Sequence, residues 1–152
     1  MRRFLGMLVP GGPSLEGEAF AVAVLSEAEL ALWRRMSGAD RRHAVGVAKR
    51  VEAAMGAEAT APVLAAALLH DVGKVESGLG VFGRVAATLA TERLRTPRMA
   101  AYRRHAELGA GLLELAGSDP VTVAWAREHH LPAERWTVPA EVGAALKAAD
   151  DD

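Results

Sequence analysis

At 152 residues, with 51% hydrophobic but only 5% aromatic side chains, the chain is sized for one domain with a core of small and aliphatic groups. Its 18 basic and 19 acidic residues nearly cancel, which excludes an overall field suited to nucleic acid or an anionic membrane. The absence of cysteine excludes disulfides, thiolate metal ligands and a cysteine nucleophile.

Ala, Leu, Val, Glu and Arg dominate, so the fold expected is all-α: a compact single-domain bundle of about six helices. Residues 1–25 read as an N-terminal appendage and 26–152 as the helical domain. Met1–Val9 is apolar in part, but Pro10, Gly11, Gly12 and Pro13 cut the run short of a signal-peptide core or a membrane span. A cytoplasmic protein with no membrane partner is therefore expected.

Ser26 followed by Glu29 has capping-box spacing, and Leu30, Trp33 and Met36 recur at helical intervals, predicting a helix over 27–36 that Ser37 and Gly38 stop. A second helix is expected from an Asp40 N-cap to Met55, with Val47 and Val51 stacked on His43, which directs that imidazole to the core. Thr60 and Pro62 open a third, apolar nearly all round and hence central, ending on His70 and Asp71 with Gly73 as its stop. A loop over 76–83 and a helix over 81–94, ended by Thr96 and Pro97, follow. His105, Leu108, Leu112 and Leu115 form the stripe of the next helix, which Gly117 terminates. Ser118 and Pro120 read as the N-cap and early proline of a helix over 119–130, finishing in His129 and His130. The last helix begins near Pro139 and carries Val142, Leu146 and Asp150 on one face. No alternating pattern long enough for a sheet is present.

The five histidines, 43, 70, 105, 129 and 130, all fall on or at the end of a core-facing stripe, as do Asp71 and Asp150. Singly, such a histidine is more often a hydrogen-bonded core side chain than a ligand, and His129 with His130 matches an ordinary cationic helix end. Asp150 precedes Asp151 and Asp152, a pattern shared with solvated acidic termini. His70 with Asp71 carries more weight, because a carboxylate in an apolar helix is costly to bury without a cationic partner. Neutral imidazoles with few carboxylates favour Mn, Fe, Co, Ni or Zn over Mg alone, and so many ligands suit two divalent ions with one carboxylate bridging.

The order His43, His70–Asp71, His105, His129–His130, Asp150, within the segments RRHAVGVAKRV, HDVGK, RRHAELGAGLLELAG, AREHH and LKAAD, resembles the HD superfamily of metal-dependent phosphohydrolases. The resemblance runs from about residue 37 to the end. It implies hydrolysis of a phosphate ester or phosphodiester, in a nucleotide-like or other small phosphorylated molecule, by metal-bound hydroxide. His43, His70, Asp71 and Asp150 match the ligands of a first metal. His105, His129 and His130 match those of a second, with Asp71 shared as the catalytic bridge. Lys74 matches the lysine of the HDxGK form, placed to contact a phosphate oxygen, or equally a helix-end cation satisfying carbonyls. Arg41, Arg42, Arg103, Arg104 and Arg127 precede ligand histidines and are candidates for a basic substrate rim, although such arginines more often form a solvated face. The segment LPAERWTVPAEV stands where the GYP motif of the cyclic di-GMP branch would lie, which argues against that substrate. Two other readings are a non-catalytic regulatory HD-like module and a di-iron oxygenase of the same fold.

Overall fold

The structure, a computed structural model, describes residues 11–77, 97 and 104–152. All regular structure among them is helical: α1 (Leu15–Val24), α2 (Glu27–Arg35), α3 (Gly38–Met55), α4 (Ala61–Leu69), α5 (His105–Leu115), α6 (Pro120–Glu128) and α7 (Ala140–Asp151). Short 3-10 segments lie at Gly56–Glu58, Val72–Ser77 and Ala133–Arg135. None of the described helices is long and apolar enough to cross a membrane.

The organising element is α4. Its apolar residues have no preferred face, and Val63 through Leu69 are buried in succession. A helix with no polar side must be surrounded, and α3 and α6 flank it, with α1 and α2 also in contact. The Thr122 hydroxyl of α6 donates to the Pro62 carbonyl, 3.0 Å away, pinning α6 to the first turn of α4. Trp33 of α2, Val47 and Val51 of α3, Leu113 of α5, Trp125 of α6 and Leu146 of α7 complete the core.

The caps explain the helix boundaries. Ser26 and Glu29 form the expected reciprocal capping box at α2. At α3 the cap is Ser37 rather than Asp40: the Ser37 oxygen accepts from the Asp40 N–H, so the helix starts three residues earlier, at Gly38. At α6 Asp119, not Ser118, accepts from the Val121 N–H at 2.9 Å. Both shifts have one cause: where two capping residues stand close together, the one whose oxygen reaches a free N–H in the first turn takes the position. Gly117 ends α5 in the left-handed region, φ 71°.

Within the segment expected as an appendage, α1 packs on the domain. Ala21 is fully buried, and a Cβ on Gly17 would meet Val45 at 3.1 Å. Glu18 pairs with Arg41 at 3.0 Å, and Glu16 with Lys49, both on α3. Small residues on α1, Gly17 and Ala21, permit the close approach, with Phe20 and Val24 packed against the core and Leu15 and Val22 left exposed. Residues 1–10, the helix expected over 81–94, Thr96, the loop beyond Ser77 and Arg103 lie outside the described residues.

Candidate metal centre

Five elements deliver the predicted groups to one place. The α3 helix carries His43, the end of α4 carries His70 and Asp71, and α5 opens with His105. His129 and His130 follow α6, and Asp150 lies in the last turn of α7. All seven are brought together. His43, His70 and Asp150 have ligand atoms within 4.8 Å of one another, and so do Asp71, His105, His129 and His130.

Asp71 joins the two groups. Its Oδ2 lies 3.5 Å from His70 Nε2, while its Oδ1 lies 3.4 Å from His105 Nε2 and 3.8 Å from His129 Nε2. On the other side, Asp150 Oδ1 is 2.9 Å from His43 Nε2 and 3.5 Å from His70 Nε2. Asp150 is 7% exposed and held within α7, whose Ala149 carbonyl accepts from Arg50 of α3 at 2.9 Å. His105 and His130 bring their Nε2 atoms to 3.0 Å.

The backbone sets the imidazole orientations. His70 Nδ1 lies 2.9 Å from the Ala67 carbonyl and His129 Nδ1 the same distance from that of Ala126. A carbonyl can only accept, so each Nδ1 carries a proton; the Nε2 of His129 then presents its lone pair inward, and the Nε2 of His70 faces Asp71 and Asp150. His129 Nε2 is buried and has no hydrogen-bond partner. Burial above all, and then the charge of His70, lower the His129 pKa to about 3, so the ring is neutral at physiological pH. An imidazole nitrogen that is neutral, buried and unpartnered is the chemistry a metal ligand needs.

The field around Asp71 and His70 favours cations. Burial opposes ionisation of Asp71, but Lys74, His70, His129 and His105 outweigh it and hold its carboxyl well below the usual range. Burial likewise opposes charge on His70, and Asp71 and then Asp150 overcome it, raising its pKa. A histidine pulled toward its charged form marks a point of negative potential. His130 is lowered, by burial first and by His105 next.

Two placements differ from the stripe pattern. His43 is only partly covered, its side chain 27% exposed, and His130 keeps an exposed edge. The arginines fare differently. Arg41 pairs with Glu18 and sits over the Trp33 ring, and Arg42 donates to the Gly11 carbonyl at 2.6 Å. Arg127 pairs with Glu107 and Glu114 of α5, and Arg104 is exposed before α5. None of these contacts is with either ligand group. Lys74 contacts Asp71 Oδ2.

Residues that support the site escaped the sequence reading. Gly73 does not act as a helix stop by a left-handed φ; its place has no room for a Cβ, which would overlap the His105 carbonyl oxygen. Gly109 faces it across the same contact, and this backbone approach carries Asp71 to His105. Glu128, 5% exposed, accepts from the Thr137 N–H at 2.7 Å and its hydroxyl at 2.5 Å, closing the loop after the histidine pair. A Glu flanked by charge and histidine has no sequence signal of burial.

The family model of the HD domain matches residues 41–151. The chain belongs to the HD-domain family. Comparison with curated proteins and with solved structures finds no match. The HD-domain family consists mostly of metal-dependent phosphohydrolases and its members bind divalent metals. In this HD domain the donor set fits such ions: one group offers three imidazoles and a carboxylate oxygen, the other two imidazoles and Asp150 with Asp71 Oδ2 beside it. Imidazole-rich sets of this kind suit Mn, Fe, Co, Ni or Zn better than Mg.

Proposed function

We propose that this HD domain hydrolyses the phosphate ester or phosphodiester of a small, nucleotide-like or otherwise phosphorylated molecule, using two divalent ions. The observation that carries the reading is the division of Asp71, one oxygen toward His70 and the other toward His105 and His129. His43, His70 and Asp150 would hold one ion, His105, His129 and His130 the other, with Asp71 between them. Ions held there would supply Lewis acidity for the phosphoryl oxygens and lower the pKa of a water toward neutrality.

The chain's own groups do the rest. The Nδ1 bonds of His70 and His129 to backbone carbonyls hold the rings in one tautomer, so the ligand geometry is set before substrate arrives. Asp71, kept ionised by its neighbours, supplies the one negative charge of the imidazole-rich group. Neutral imidazoles around it leave net positive charge to meet an anionic phosphate once ions are bound. Lys74, next to Asp71, adds a cation within reach of a phosphate oxygen. Like Arg41 and Arg127, Lys74 is engaged by a carboxylate, but of the three only its partner, Asp71, belongs to the ligand groups.

The test begins with metal analysis of protein purified without chelators, followed by assays on phosphomonoesters, cyclic nucleotides and nucleotides with Mn or Fe. Two equivalents of metal and turnover are expected, and Asp71→Ala is expected to lower turnover more than about hundredfold. Protein that stays inactive after reloading, or activity that survives Asp71→Ala, would sink the reading. Oxygen consumption by iron-loaded protein would replace it with an oxidative one.

A further inference from the structure

The HDVGK segment contains an asymmetry that the two-ion arrangement does not require. The Lys74 N–H donates to the Asp71 carbonyl at 3.0 Å, a 3-10 turn in which side chains three apart lie one above the other. The ammonium consequently contacts Asp71, and of the two carboxylate oxygens it takes Oδ2. That is the oxygen facing His70 and, through it, Asp150. Oδ1 is turned to His105 and His129 instead. The Lys74 side chain is 15% exposed, so water screens this contact weakly.

We infer that Lys74 makes the two ion positions unequal and couples one of them to phosphate. A cation at His43, His70 and Asp150 must share Asp71 Oδ2 with the ammonium and is repelled by it most; Lys74 also bears on His130, but a cation at His105, His129 and His130 draws on the other oxygen. Anion binding reverses the balance. A phosphate oxygen at the site attracts Lys74 away from Asp71, releases Oδ2 and tightens the first position. Because coupling between two ligands is reciprocal, an ion there also frees Lys74 to hold phosphate. The protein thus favours its complete two-ion form when a phosphate group is present. This inference rests on the metal reading proposed above.

The test is a Mn(II) titration by calorimetry, with and without inorganic phosphate, on wild type and Lys74→Met. Wild type is expected to show two affinity classes, the weaker tightened about tenfold by phosphate, within the usual range of coupling between sites. In Lys74→Met the weaker class tightens about tenfold without phosphate, and phosphate then adds less than about threefold. A variant with wild-type constants and the full phosphate effect overturns the inference and leaves the phosphohydrolase reading standing. Wild-type protein that binds no Mn(II) overturns both. A second measurement needs only wild type, in case Lys74→Met does not fold: reductive methylation of Lys74, read by mass spectrometry. The rate is expected to rise several-fold at saturating Mn(II) alone, where the ion takes Oδ2 and frees the amine, and to fall again when phosphate is added; a rate unchanged by Mn(II) overturns the inference.

Discussion

His129 shows how a single side chain can be costly to the fold and useful to the site. Its ring is 1% exposed, its Nδ1 is bonded to Ala126, and its Nε2 faces four titratable neighbours without a hydrogen bond. A buried nitrogen left unpaired costs about 1–3 kcal/mol, whereas an apolar group of similar size incurs no such penalty. His129→Leu is therefore expected to change the stability of chelated protein by less than about 1 kcal/mol, since relief of Nε2 offsets loss of the Nδ1 bond. Bound metal should fall from two equivalents to one in the same variant. Urea unfolding and metal analysis measure the two effects separately. A large loss of stability would mean the ring serves packing rather than ligation.

At the scale of elements, the site depends on how closely two backbones approach. Gly73 lies against the first turn of α5, and a Cβ there would overlap the His105 carbonyl. Gly73→Ala must push α5 away and is expected to cost about 3 kcal/mol in chemical denaturation, together with metal binding. Gly111→Ala, on the same helix with nothing within 4 Å of its Cβ, is the control: stability should rise by about 0.5–1 kcal/mol with metal uptake unchanged. Arg127 joins α6 to α5 through Glu107 and Glu114, but these groups are largely exposed. Arg127→Ala should therefore change stability by less than about 1 kcal/mol and leave KM within about twofold, measured on whatever substrate the panel identifies.

Across the whole molecule, the ligand groups come from five elements spread from α3 to α7. Ions bound to them would tie α3, the end of α4, α5, the end of α6 and α7 into one unit. Because such ions bind only the folded arrangement, adding Mn(II) at about a hundred times its Kd should stabilise the chelated protein by about 2.7 kcal/mol. For a domain of this size that corresponds to a rise in Tm of roughly 5–10 °C, read by calorimetry, and an unshifted melt would contradict a built site. The α1 helix belongs to the same unit: its ion pairs to α3 and its buried Ala21 place it on the helix that carries His43.

Much of this was legible without coordinates. The apolar run Ala65–Leu69 determined a buried helix, and because burial is unfavourable for His70 and Asp71, their position at its end already demanded cationic partners. Spacing along amphipathic stripes put His105 and Asp150 on inward faces, since helical periodicity is a local property of the chain. Three things needed atomic positions, the first two local in the chain and only the last tertiary. The carbonyls of Ala67 and Ala126 fix the imidazole tautomers, and backbone groups carry no residue-specific signal. The capping positions at Ser37 and Asp119 depend on which oxygen reaches a free N–H. Above all, the split of Asp71 between two histidine groups, and the choice of Oδ2 by Lys74, arise from the packing of the 3-10 turn against α5. Sequence determines which residues face inward, but distances between atoms on different helices follow from how closely those helices pack.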